Sequence, residues 1–147
     1  MGTTSDLTVE KRKLRVLLAK LGLDSHWRGA LVVATALKNA GMEVIYIGNQ
    51  SPEAIAEIAL QEDVDVVGLS TLSGNYFPLG TRTVECLREK GLGAVPVIMG
   101  GIVAERDLPE LYQAGITKVF GPGTRTGEII NYINTNLRRV YGTRTIE

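Results

Sequence analysis

The sequence is poor in the residues that build disulfides and protein-only metal sites. Its 147 residues include one histidine, one cysteine, one tryptophan and two phenylalanines. The single cysteine, Cys86, excludes an intrachain disulfide and points to a reducing compartment. Charge of one sign is lacking as well. Sixteen Lys and Arg balance 16 Asp and Glu, and no Lys/Arg stripe is clustered, which speaks against a nucleic-acid partner. No apolar run reaches the roughly 18–20 residues of a membrane span. The opening stretch "MGTTSDLTVEKRKLR" has no signal-peptide core. A cytoplasmic chain without membrane association is therefore expected.

What is present is the material of one ordinary domain. Hydrophobic residues make up 44% and charged residues 22%, enough for a core without staples. Two periods alternate along the chain. "LRVLLA" (14–19) is a continuous apolar run, as a strand buried on both faces would be. "GALVVATALKNAG" reads as a helix with Ala30, Val33, Ala34 and Leu37 on one stripe and Gly41 as its stop. "EVIYIG" is a second strand. "SPEAIAEIALQE" is a helix with Ser51 as N-cap and Pro52 in its first position. "VDVVGLS" is a third strand, "SGNYFP" a loop, and a helix of about 12 residues then ends at Gly91. "VPVIM" is a fourth strand, with Pro96 near its start. A short helix over "LPELYQAG", a brief strand "KVF" and a helix over "GEIINYINTNL" complete the order. Five βα units predict a parallel sheet covered on both faces, doubly wound in the order 2-1-3-4-5. Residues 1–12 read as a polar extension, 13–137 as the domain and 138–147 as a tail.

Ligands of such folds bind beyond the carboxyl ends of the strands, at the switch point between strands one and three. That edge collects the unusual residues: "KLGLDSHWRG", "STLSGNY", Gly100-Gly101 and "GPGT" over 121–124. So many glycines suit a large or elongated ligand. His26 lies there, two residues after Asp24. An Asp accepting a hydrogen bond from one ring nitrogen fixes the tautomer and raises the basicity of the other, which suits a metal ligand or a general base. With no second His and with Cys86 in mid-helix, a metal would arrive with most of its coordination filled by a macrocycle, a haem or a corrinoid. A hydrolase elbow would need G-x-S-x-G, which "LSTLSG" lacks. A phosphoaspartate receiver would need an Asp where strand three ends in Ser70.

Asp24-x-His26-x-x-Gly29, Ser70-x-Leu72 and Gly100-Gly101, in this order, resemble the cobalamin-binding domain of adenosylcobalamin-dependent mutases and of methionine synthase. The resemblance covers roughly 13–137 and implies a flavodoxin-like (Rossmann-like) α/β fold. "LLAKLGLDSHWRGALVVATAL" and "VFGPGTR" look most like methylmalonyl-CoA mutase and its acyl-CoA mutase relatives. The small subunit of glutamate mutase and a non-enzymatic cobalamin carrier or sensor are the alternatives. Ser25 and Trp27 depart from the family's usual residues.

The resemblance implies these roles. His26 replaces the cofactor's own base as lower axial cobalt ligand, Asp24 is its hydrogen-bond partner, and Lys20 stands near that Asp. Arg28 is a further cofactor-binding candidate, and Gly29 makes room for the tail at the start of the first helix. Ser70 hydrogen-bonds the buried base and Leu72 packs near it. Gly100 and Gly101 line the nucleotide channel, and Gly121, Gly123 and Thr124 lie near the far end of the tail. The mutase isomerises its substrate by radical chemistry that belongs to the cofactor. A larger barrel-type subunit would hold that substrate, in a homo- or hetero-oligomer; Cys86, read from its place in the third helix, would serve only packing.

Overall fold

The computed structural model describes residues 13–21, 28–71 and 76–137. The expectations for 1–12 and 138–147, and those for Asp24, His26, Trp27 and Leu72, fall outside these described residues. Five strands, β1 (Arg15–Leu21), β2 (Glu43–Gln50), β3 (Val66–Thr71), β4 (Val97–Gly101) and β5 (Lys118–Phe120), form one parallel sheet in the order β2-β1-β3-β4-β5. The helices are α1 (Arg28–Asn39), α2 (Pro52–Glu62), α3 (Tyr76–Glu89), α4 (Leu108–Ala114) and α5 (Thr126–Tyr132). The expected doubly wound α/β sheet is therefore what the chain adopts.

The unbroken apolar run of β1 follows from burial on both faces. Leu14, Val16 and Leu18 join a core with Ala34 and Leu37 of α1 and Ile129 of α5. Leu17, Ala19 and Leu21 join the opposite core, with Ile55 and Ala59 of α2, Val84 and Leu87 of α3, and Leu111 of α4. Helix α1 thus leaves β1 toward one face, and α3 leaves β3 toward the other. The divergence opens a crevice between neighbouring strands.

Local chemistry sets the ends of these elements. Ser51 caps α2, its hydroxyl accepting from the Ala54 N–H at 3.1 Å, with Pro52 next. Beyond α1, Gly41 takes φ +93 and Met42 N–H returns to the Leu37 carbonyl at 3.1 Å. Helix α2 is tied to α3 by Arg82–Glu53 at 3.2 Å and to Lys90, the residue after α3, by Lys90–Glu57 at 2.6 Å.

The structure corrects the boundaries of five elements. Strand β4 runs Val97–Gly101 rather than 95–99, so Gly100 and Gly101 belong to the strand, opposite Ser70 and Thr71. Pro96 has no N–H for the ladder and stays before it, though its carbonyl accepts from Val67 N–H at 3.0 Å. Strand β1 continues to Leu21 and β2 to Gln50, past a bulge that takes up Gly48 at φ +67. Helix α3 has 14 residues and includes Tyr76, Phe77 and Pro78, expected as loop; proline costs nothing there because first-turn N–H groups have no intrahelical partner. The last helix gives way to a π-turn over Ile133–Leu137, where the Asn136 side chain donates to the Tyr132 carbonyl at 3.1 Å and competes with the helical bond.

Candidate functional site

Parallel register places the site residues in rows across the sheet. One row on the α1/α5 face runs Leu18, Gly68, Ile98. Two residues nearer the carboxyl edge, a second row on that face runs Lys20, Ser70, Gly100, Phe120. Small residues at the centre of both rows leave a trough in the sheet. Ala30 and Val33 of α1 form one wall, and Thr126 and Ile129 of α5 the other. The result is a cavity of about 350 Å³, apolar apart from Ser70, Thr124 and Thr126. Its volume falls within the range of small-molecule sites, roughly 300–1,000 Å³.

Of the sequence-predicted site residues, the structure brings Gly29, Ser70, Gly100, Gly101, Gly121 and Thr124 to this crevice. The glycines differ in what they do. A Cβ added to Gly29, Gly100 or Gly121 would meet no atom within 4 Å, so these three hold space open. Gly101 has φ +138, and a Cβ there would stand 1.7 Å from the Thr71 carbonyl oxygen, so its glycine serves the backbone. Gly123, at φ +84, lies in the turn after β5 and outside the lining; Thr124 closes that turn with a 2.7 Å hydrogen bond from its hydroxyl to the Gly121 carbonyl. Arg28 opens α1. Lys20 lies in the Ser70 row with only 1% of its surface exposed, a buried lysine near the carboxyl end of β1. Cys86 is buried in the opposite core, and desolvation pushes its thiol upward, as a packing role requires.

Sequence reasoning passed over Leu18, Gly68, Ile98, Phe120, Thr126 and Ile129. The signal for Gly68 was available: Gly68-x-Ser70 is a period-two pattern of small residues on one strand face. Phe120 is harder to foresee, because its position depends on the pairing of β5. The Tyr132 ring meets it edge-on, centroids 5.6 Å apart, and burial raises the Tyr132 phenol. On the other side of the edge, the Tyr76 hydroxyl donates to Asp107 at 2.5 Å and accepts from Ala104 N–H at 3.0 Å. This pins the segment after β4 to the start of α3. Among the described residues no cluster of His, Cys, Asp or Glu could hold a metal ion, and no helix is long and apolar enough to cross a membrane.

Comparison with known proteins adds the following. The model of the family described as "B12 binding domain" matches residues 14–131. The pivalyl-CoA mutase small subunit of Xanthobacter autotrophicus is 45% identical over 123 residues, covering 83% of this chain and 82% of that protein. The 2-hydroxyisobutanoyl-CoA mutase small subunit of Aquincola tertiaricarbonis is 41% identical, covering 86% and 94%. Methylmalonyl-CoA mutase of Cereibacter sphaeroides is 41% identical over 84% of this chain, which spans only 18% of that protein's length. Among solved structures, a cobalamin-binding protein of Desulfitobacterium hafniense superposes with a TM-score of 0.72 at 21% identity, over 84% of this chain and 58% of the other. That likeness is one of fold.

Proposed function

Because this chain belongs to the B12 binding domain family, we propose that it is the cobalamin-binding small subunit of an adenosylcobalamin-dependent acyl-CoA mutase. The crevice carries the reading. It is a mostly apolar trough of about 350 Å³, floored by strand residues without bulk at its centre and held open by three glycines whose Cβ positions are empty. Such a shape takes a cofactor tail ending in an aromatic base. Ser70 is the polar group at the middle of the floor and would hydrogen-bond that base. Thr124 and Gly121 would border the outer part of the tail.

Bound there, adenosylcobalamin supplies radical chemistry from its cobalt–carbon bond. The roles of this chain are to bind and orient. His26 would ligate the cobalt, and Asp24 would fix its tautomer by accepting a hydrogen bond from the other ring nitrogen. Lys20 sits in the Ser70 row, at the end of the strand that precedes Asp24 in the chain. The domain doing this is assigned to residues 13–137, with the extension and tail outside it.

Both small-subunit relatives are named for mutases acting on CoA thioesters with short branched acyl groups. A substrate of that class, bound by a separate larger subunit, is the corresponding proposal here. Mixing this chain with its large subunit and adenosylcobalamin should give acyl-CoA isomerisation that neither chain gives alone. Turnover by this chain without a partner, or a large subunit as active without it, would refute the assignment.

A further inference from the structure

We propose that Gly68 and Leu18 set the depth of the crevice floor and so decide how bulky a tail base the crevice admits; this rests on the crevice being the seat of the cobalamin tail. Glycine inside a strand needs a reason, since its extra freedom in the unfolded chain makes it destabilising there relative to alanine. Backbone conformation is not the reason, for Gly68 is not among the glycines with positive φ. Space is. A Cβ at position 68 would stand 2.5 Å from Leu18 Cδ2, whereas its next neighbours, Ile98 Cγ1 and the Leu17 carbonyl oxygen, are at 3.7 and 3.8 Å. Leu18 is directly opposite Gly68 in the β1–β3 register and lays a methyl group where the missing side chain would be.

That arrangement keeps Leu18 low. Both residues line the crevice, and Leu18 is 8% exposed. A methyl group at 68 would meet Leu18 alone at a prohibitive distance, and the side of Leu18 with room to move is the cavity. The floor would rise just beneath Ser70 and Gly100, the small residues of the next row. Gly68 therefore differs from Gly29, Gly100 and Gly121, which border open space, and from Gly101, which serves the backbone.

The test compares two probes on the full-length chain. Hydroxocobalamin carries the nucleotide tail and base; diaquocobinamide carries neither. Wild type, Gly68→Ala and Leu18→Val/Gly68→Ala are titrated with each and followed by visible absorption. Gly68→Ala should weaken cobalamin binding roughly tenfold, because overpacking is felt only when the base enters, and should leave cobinamide binding unchanged. Leu18→Val removes the displaced methyl and should restore cobalamin affinity to within about threefold of wild type. Equal cobalamin affinities for Gly68→Ala and wild type would overturn the proposal. So would equal weakening of both probes, which would mark a general structural defect. A wild-type chain that binds cobinamide as tightly as cobalamin would instead overturn the tail reading itself, and this proposal with it.

Discussion

Two adjacent glycines, Gly100 and Gly101, should respond oppositely to the same substitution. Gly101→Ala puts a Cβ 1.7 Å from the Thr71 carbonyl oxygen and 2.8 Å from the Thr71 carbonyl carbon, and imposes φ +138 on an L-residue. The positive φ alone costs roughly 1–3 kcal/mol. The clash is with backbone and cannot be relieved by a rotamer, so the end of the β3–β4 pairing has to separate, losing a hydrogen bond worth about 1 kcal/mol and local packing besides. A total near 3–6 kcal/mol is expected, a large share of the roughly 5–15 kcal/mol that holds a domain folded. In a chain of this size that lowers Tm by about 10–20 °C. Gly100→Ala meets no atom within 4 Å and should change stability by less than about 0.5 kcal/mol. It should instead weaken cobalamin binding, because its methyl group fills the crevice. Thermal or urea unfolding of both variants, paired with a cobalamin titration of Gly100→Ala, reads both effects. A stable Gly101→Ala beside a destabilised Gly100→Ala would refute the geometric assignment of the two glycines.

Three further outcomes follow from the packing. Tyr76→Phe leaves the Ala104 N–H and one Asp107 oxygen without their partner, so unfolding should show a loss of about 1–3 kcal/mol; an unchanged midpoint would mean that this contact holds nothing. The Glu57 carboxyl is held below its ordinary 4.5 by the hydrogen bond from Lys90, and that of Glu53 by a backbone hydrogen bond and by Arg82. A depressed carboxylate contributes stability above its unfolded pKa and loses it as pH falls through the folded value, so the denaturation midpoint should drop on acidification below about 4.5, and less steeply in Glu57→Gln. An equal slope in the two proteins would contradict that coupling. Cys86, 3% exposed and with its thiol raised by burial, should resist a thiol reagent in the native chain and react on unfolding; fast native labelling would contradict its place in the core.

Most of the fold was legible because its signals are local and repeated. The apolar run of β1, the Ser51-Pro52 start of α2 and the glycine stops at Gly41 and Gly91 each announce one element, and the alternation of elements leaves few sheet orders open. Boundaries at the carboxyl edge were not legible for the same reason. Gly100 and Gly101 look like a turn from composition, yet Ser70 and Thr71 hold them in the ladder, and that pairing is a tertiary fact. The site divides similarly. Ser70, Gly29, Gly121 and Thr124 could be named from motif and position. Leu18, Ile98 and Ile129 could not, because a leucine or isoleucine that lines a crevice has the same local pattern as one that fills a core.

The central claim is that this chain binds cobalamin with His26 on cobalt. The most direct test is a visible-spectrum titration of hydroxocobalamin into wild type and His26→Ala. The account predicts that the wild-type spectrum shifts as the cofactor's own base is exchanged for the imidazole, and that His26→Ala, still folded, loses this shift. The same shift in both proteins would contradict ligation by His26, and cobalamin bound by neither would contradict the function proposed for the crevice.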